Sequence, residues 1–341
     1  TMGLAFSAPI DVKSKLYSKF VDELPDLSGK VYVITGTTSG TGNAAARACA
    51  KKGGNVVMLN RKSERSDKAL ADIKAEFPGA LVQHIDCDLM DLASVRKAAD
   101  RVKGLFSASG IDCLSLNAGV MALEDKATQD GYDVQIQTNH ISGWLLAAEL
   151  MPLLTKAAKR TGEARVVTHS SGMRNIPPNK LEAKYFEKNG GDLGGNDSGY
   201  LLGGGRWQRY HQTKLANAVM TYALADKLSD KGSKVISASC EPGYSATNLQ
   251  VTTYADGGIP THLPFRWIGF LLAQSAEDGS LPLLSAMCGK STVNGDFYVP
   301  KWGAFGAPVK LPKREKLCDD EESKRMLWEK SVLATGKDIA L

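Results

Sequence analysis

The chain has no apolar run of the roughly 18–20 residues that a membrane-spanning helix needs. Its best stretch, Trp267 to Ala273, is far too short. Cysteine is sparse: Cys49, Cys87, Cys113, Cys240, Cys288 and Cys318 lie scattered, without close pairs. That excludes a disulfide framework and suits reduced thiols in a reducing intracellular compartment, cytoplasmic or organellar. The five histidines lack metal-ligand spacing, so no metal is expected. A Pro/Ser-rich linker and internal repeats are both missing. Cations are not clustered either. Lys and Arg are spread along the chain, so the net charge of +5 leaves no nucleic-acid footprint, only room for anionic ligands or a membrane surface.

What is present is an ordinary globular composition: 341 residues, 43% hydrophobic and 23% charged. Short apolar runs alternate with helical patterns. Lys30 to Thr35, Asn55 to Leu59, Leu81 to Ile85, Cys113 to Leu116, Arg165 to His169, Lys234 to Cys240 and Gly295 to Val299 read as strands. Helices are expected between them, including a long one over 135–159 and one carrying Tyr210 to about Leu228. This alternation predicts an α/β fold: one doubly wound Rossmann domain over 28–341 with a seven-stranded parallel sheet. An amphipathic extension over 1–27 precedes it, with Leu16, Tyr17, Phe20, Val21 and Leu24 at helical spacing. Residues 176–206, dense in glycine, read as a long surface insertion. Asp319-Asp320 are placed to cap a last helix to about Leu333.

The turn Thr35-Gly36-Thr37-Thr38-Ser39-Gly40-Thr41-Gly42 joins the first strand to the first helix of the sheet. Glycines permit a tight turn and close backbone approach to a pyrophosphate at a helix N-terminus. Gly36, Thr38, Ser39, Gly40 and Gly42 are therefore candidate cofactor contacts. An NAD site wants a carboxylate at the end of strand two. Asn60 stands there instead, followed by Arg61 and Lys62. This pattern predicts NADP(H), with Arg61 as the main contact to the 2′-phosphate; the other reading is a solvated basic loop. Asp88 is placed to accept from an adenine amino group, and Asn117-Ala118-Gly119 let the backbone lie close to the adenosine half. Pro242-Gly243 and Thr247 could cradle the nicotinamide carboxamide.

Tyr210 and Lys214 share one helix face. A nearby ammonium favours a phenolate, which would make Tyr210 a proton donor near neutral pH. Asn139 sits inside a long apolar helix, and a buried Asn needs partners. It is either a kink satisfied by backbone or part of a polar relay. Ser170-Ser171 end the fifth strand at the carboxyl edge of the sheet, where ligands bind in such folds; Ser-Ser there also suits a plain turn.

The ordered set TGxxxGxG, DL, NAG, Asn, Ser, YxxxK and PGxxxT resembles the short-chain dehydrogenase/reductase family over about residues 28–300. DGYDVQIQTNH at 130–140, YHQTKLAN at 210–217, PGYSATNLQ at 242–250 and LWEKS at 327–331 resemble its retinol-dehydrogenase-like branch, related to light-dependent protochlorophyllide oxidoreductase. The resemblance implies a tetrad. Tyr210 is its acid or base, Lys214 binds the nicotinamide ribose and lowers the tyrosine pKa, Ser171 rather than Ser170 orients the substrate oxygen, and Asn139 holds a relay water. Thr41 in the turn, Trp144 after Asn139-His140 and the glycine-rich insertion depart from the pattern.

Tyr244, Tyr254, Phe265, Trp267, Phe270 and Trp302 fall where this family carries its substrate lid, which implies a lipophilic aldehyde, ketone or alcohol. The same aromatics also suit a core or an interface, and an oligomer is left open. Met2-Gly3-Leu4-Ala5-Phe6-Ser7 fits the N-myristoylation pattern, and Lys13, Lys15 and Lys19 would add a second membrane signal; Thr1 precedes Met2, so the match requires the chain to start at Gly3. Two other classes stand beside the reductase: a protochlorophyllide-type photoenzyme, and a non-catalytic nucleotide-binding subunit of an assembly.

Overall fold

The structure is a computed structural model, and it describes residues 12–176, 180–188, 190–199, 203–258 and 273–341. Residues 2–7 of the acylation pattern, and Phe265, Trp267 and Phe270, lie outside the described residues.

Seven strands are parallel: β1 Val31–Thr35, β2 Asn55–Asn60, β3 Val82–Asp86, β4 Cys113–Leu116, β5 Ala164–His169, β6 Val235–Cys240 and β7 Phe297–Pro300. The sheet has one strand more than expected. A three-residue β8, Pro308–Lys310, pairs antiparallel to β7 at the edge. It is too short and too proline-marked to stand out in sequence. The order is β3-β2-β1-β4-β5-β6-β7-β8, so the strand order reverses between β1 and β4. Ligands bind at such a switch point, outside the carboxyl ends of the strands.

Alternation along each strand divides the core. Val31, Val33, Val57 and Leu59 pack on one face of the sheet, and Tyr32, Ile34, Val56 and Met58 on the other. The first face is covered by α4 (Leu92–Phe106), α6 (Ser142–Thr161) and α7 (Gly205–Asp230). The second is covered by α2 (Gly40–Lys51) and α3 (Glu64–Glu76). α1 (Tyr17–Glu23) packs there too: Tyr17 and Val21 are buried and the Tyr17 hydroxyl donates to Ala44 O at 2.6 Å. The Asp278 carboxylate fastens the segment before it, accepting from Ser14 Oγ at 2.6 Å and from Lys15 N at 2.9 Å.

The helix around Asn139 is not continuous. A one-turn α5, Val134–Ile136, passes into a π-helical turn, Gln137–Ile141, and only then into α6. One residue too many is fitted into the turn, and such bulges cluster at functional sites. α8 (Asn248–Ala255), α9 (Ala276–Gly279) and α10 (Leu281–Cys288) follow β6. Asp320 caps the final α11 (Glu321–Thr335) by accepting from Ser323 N at 2.9 Å, while Asp319 turns aside to ion-pair with Arg314. Among the described residues no helix is long and apolar enough to cross a membrane.

Candidate active site

The glycine turn is held by backbone conformation and close packing. Gly36 and Gly40 have φ of 73° and 64°, a region that favours glycine. A methyl on Gly36 would lie 2.8 Å from Ala118 Cα, and one on Gly42 would lie 2.3 Å from Gly36 O. The first contact, with backbone just past the end of β4, makes Gly36 obligatory, and the second does the same for Gly42. Thr247 is the nearest neighbour of Gly40, so the segment after β6 closes over the turn.

Asn117 ties the turn to the middle of the sheet. Its Nδ2 donates to Thr35 O at 3.0 Å and Gly36 O at 3.2 Å. Its Oδ1 accepts from Thr41 Oγ1 at 3.1 Å and faces His169 Nδ1 at 2.8 Å. Thr41 therefore gains a polar partner where the family pattern has an aliphatic residue. Asp88 commits one carboxylate oxygen to its own turn, accepting from Met90 N at 2.9 Å.

Here the sequence reading missed Arg65 and the bracing role of Asn60. Asn60 does not simply leave room for a phosphate. Its Oδ1 accepts from Thr37 N at 2.6 Å and its Nδ2 donates to Thr37 Oγ1 at 2.8 Å, so it braces the turn. Arg65, the second residue of α3, reaches back and donates to Ser39 Oγ at 3.2 Å. Arg61 itself is exposed just past β2.

These residues fit a dinucleotide. Ser39 starts α2 without a side-chain cap, which leaves the first N–H groups of the helix for an anion. The left-handed glycines keep side chains out of the turn, and Arg65 brings a cation beside it.

At the far side of the switch point the four expected tetrad residues converge. The Tyr210 phenol lies near the Ser171 side chain, which favours its ionised form, while Ser171 Oγ accepts from Met173 N at 3.3 Å. Lys214 Nζ lies 5.7 Å from the centre of the Tyr210 ring and donates to His169 O at 3.1 Å. Asn139 Oδ1 accepts from Val120 N at 2.7 Å, and its Nδ2 donates to Val120 O at 2.8 Å and Thr213 Oγ1 at 2.9 Å. A methyl on Gly119 would sit 3.2 Å from Asn139 Oδ1 and 3.4 Å from Lys214 Nζ, so these two polar groups flank the same glycine. Ser170 points elsewhere: its hydroxyl donates to Lys214 O at 2.7 Å, inside the helix-to-strand packing. Of the two open readings of Asn139, the kink is present: the π-helical turn carries it, and the Val120 backbone satisfies it.

The electrostatics correct one expectation. Burial pushes the Tyr210 phenol above its ordinary pKa, and only the nearby Ser171 side chain opposes this. Burial likewise lowers Lys214 to about 8. A desolvated lysine is a weaker cation, so the protein alone does not deliver the lowered tyrosine pKa that helical spacing suggested. His169 stays neutral, lowered to about 3 by burial and then by the Lys214 charge.

Ser171 is positioned from behind by Arg174, which sequence offered no sign of. The fully buried guanidinium donates to Ser171 O at 2.8 Å and to both oxygens of Glu315 at 2.7 and 3.0 Å, and it pairs with Glu241. Glu241 directly precedes Pro242-Gly243. There Gly243, with φ of 63°, passes so close to Ala304 O that a methyl would lie 2.3 Å from it.

The glycine-rich insertion is docked beside Tyr210. Asp125 accepts from the N–H groups of Gly191, Leu193 and Gly195 at 2.8–3.0 Å. Arg209 donates to Leu193 O at 3.2 Å and Gly195 O at 2.9 Å, and its buried guanidinium lies 3.3 Å from Asp125 and 3.2 Å from Asp133. Trp207 stands edge-on to the Tyr210 ring with centroids 5.9 Å apart. Met121, Ala122, Met173 and Leu249 complete an apolar cluster around the phenol.

The short chain dehydrogenase family matches residues 30–183. A short-chain dehydrogenase/reductase of Aspergillus calidoustus, drtF, is 31% identical over 89% of this chain and 93% of its own length. The chain belongs to the short-chain dehydrogenase/reductase family. Human retinol dehydrogenase 13 is 28% identical over 91% of this chain and 86% of its own, in keeping with the retinol-dehydrogenase-like branch. The crystal structure of an uncharacterized protein from Mycobacterium Paratuberculosis superposes with a TM-score of 0.71 at 27% identity, over 97% of this chain and 100% of that one. As a member of this family the chain is an oxidoreductase that uses a nicotinamide dinucleotide.

In this short-chain dehydrogenase/reductase the departure at Trp144 has a packing reason. The Trp144 ring meets Trp328 of α11 edge-on at 4.7 Å, and its Nε1–H donates to Lys337 O at 3.0 Å. Trp144 thereby anchors the C-terminal segment to α6.

Proposed function

We propose that the chain is an NADP(H)-dependent oxidoreductase that interconverts a lipophilic carbonyl compound and its alcohol, with Tyr210 as the proton donor or acceptor. The observation that carries this reading is the buried Tyr210 phenol, near Ser171 and set in the apolar cluster of Trp207, Met121, Ala122, Met173 and Leu249. A polar pair in an apolar wall suits a substrate with one reactive oxygen on a greasy body. A retinol dehydrogenase among the relatives supports the same class.

The bound nicotinamide would supply or accept the hydride. The chain's own residues do the rest. Ser171 and Tyr210 orient the substrate oxygen, and Tyr210 gives its proton to that oxygen in reduction or takes it in oxidation. Lys214 and Asn139, on either side of Gly119, supply the charge and the polar link that let the phenol be reprotonated. The buried setting excludes bulk water and strengthens each of these interactions. Arg61 and Arg65 supply guanidinium groups for a 2′-phosphate, for which their fork geometry suits.

A panel of lipophilic aldehydes, ketones and alcohols, run with NADPH and NADP, tests the reading. Turnover is expected in wild type and not in Tyr210→Phe, with cofactor binding retained in the variant. Full turnover by Tyr210→Phe would sink it.

A further inference from the structure

We propose that Ser331 of α11 is a positioning residue for Lys214, acting through His140 and Asn217. The proposal rests on Lys214 being part of the reactive site.

The four groups form one buried chain of hydrogen bonds. Lys214 Nζ and Asn217 Nδ2 both donate to His169 O, each at 3.1 Å. Asn217 has then turned its Oδ1 toward His140 Nδ1, 3.3 Å away. An amide oxygen only accepts, so His140 carries its proton on Nδ1. His140 Nε2 is left as an acceptor, and the Ser331 hydroxyl donates to it at 2.9 Å. Each link fixes the direction of the next. The sequence is Ser331 to His140 to Asn217 to the carbonyl that also receives the Lys214 ammonium.

The surroundings keep this order. His140 is fully buried, and Phe186 stands edge-on to it with centroids 5.5 Å apart. Burial holds its pKa down at about 4, so it is neutral and can accept from Ser331 at neutral pH. His140 lies in the π-helical turn directly after Asn139. Ser331 is buried, one helical turn from Trp328, which packs on Trp144. The C-terminal helix, although remote in sequence, thus ends a rigid line that begins at Lys214. Cys240, His169 and the Tyr210 ring are the other titratable groups near that ammonium.

Removing the Ser331 hydroxyl frees His140 and Asn217 to turn, and the Asn217 amide can then leave the His169 carbonyl that it shares with Lys214. That carbonyl then accepts from Lys214 alone and holds its ammonium form more firmly. The ε-carbon resonance of Lys214, followed by NMR in the cofactor-free full chain, reads its titration directly. Ser331→Ala is expected to raise the midpoint by at least about 0.3 unit. His140→Phe keeps the ring volume, cuts the line in the middle and is expected to do the same. Leu327→Ala removes a buried leucine from the same helix; it should lower the unfolding temperature and leave the Lys214 midpoint at its wild-type value. An unmoved midpoint in Ser331→Ala or His140→Phe overturns the proposal. An equal shift in Leu327→Ala also overturns it, since loosened packing would then suffice. With NADPH and a lipophilic aldehyde, Ser331→Ala should reduce kcat roughly threefold to tenfold at nearly constant KM. A wild-type chain without turnover would refute the proposed reaction but leave the NMR result to decide this one.

Discussion

Asn60 grips Thr37 with both ends of its amide. Oδ1 accepts from the backbone N–H at 2.6 Å and Nδ2 donates to the hydroxyl at 2.8 Å. The residue that stands in place of an NAD-type carboxylate is therefore first a brace for the glycine turn. Asn60→Ala leaves the buried Thr37 N–H without its acceptor, which costs about 1–3 kcal/mol. Chemical denaturation should show that loss, and NADPH and NADH should weaken together.

The two arginines should behave differently. Arg61→Ala and Arg65→Ala leave the turn intact and remove only a guanidinium. Each is expected to weaken NADPH about tenfold, the worth of one charge-assisted contact, and to leave NADH nearly unchanged. Calorimetric titration of both cofactors separates the cases. Rising salt should narrow the gap, because Arg61 is exposed and screened.

The adjacent serines have separate duties. Ser171 lies near the Tyr210 phenol and favours its ionised form, whereas Ser170 donates to Lys214 O. Ser171→Ala should lower kcat by about a hundredfold, as loss of one oriented donor does. Ser170→Ala should cost about 1 kcal/mol of stability and keep most of the activity. Parallel kinetics and melting curves of the two variants would show whether the roles divide in this way.

Lys214 should be a burden on stability at neutral pH. Its native pKa is about 8, below the ordinary 10.5. Between those values the unfolded chain binds more protons than the native one, so its contribution to stability rises with pH there. Below about pH 8 the full penalty of a buried ammonium applies. Lys214→Met should therefore be more stable than wild type by about 1–3 kcal/mol at pH 7. That advantage should fade as pH climbs from about 8 toward 10.5. Denaturant midpoints of both proteins across this range test it; a constant difference would refute the assignment.

Legibility followed locality. The glycine turn and the Tyr210–Lys214 pair are set by neighbours a few residues away, so spacing alone revealed them. The seven parallel strands were readable because each is a short apolar run between helices. β8 was not, since its three residues at the sheet edge owe their form to β7. The choice of Ser171 followed from family resemblance, but its reason lies in Arg174, whose partners Glu241 and Glu315 are far away in sequence. Asn60 was read through its charge, and its work is done by geometry. The expected lowering of the Tyr210 pKa failed because helical spacing says nothing about burial, which acts on both partners.

The docking of the insertion has a consequence for anyone exchanging parts between relatives. Asp125 and Arg209 lie on opposite sides of the insertion in the chain, yet both hold the backbone of Leu193 and Gly195. A loop transplanted without them arrives with unmet N–H and carbonyl groups. The insertion is thus no interchangeable cassette: the segments that carry Asp125 and Arg209 have to travel with it.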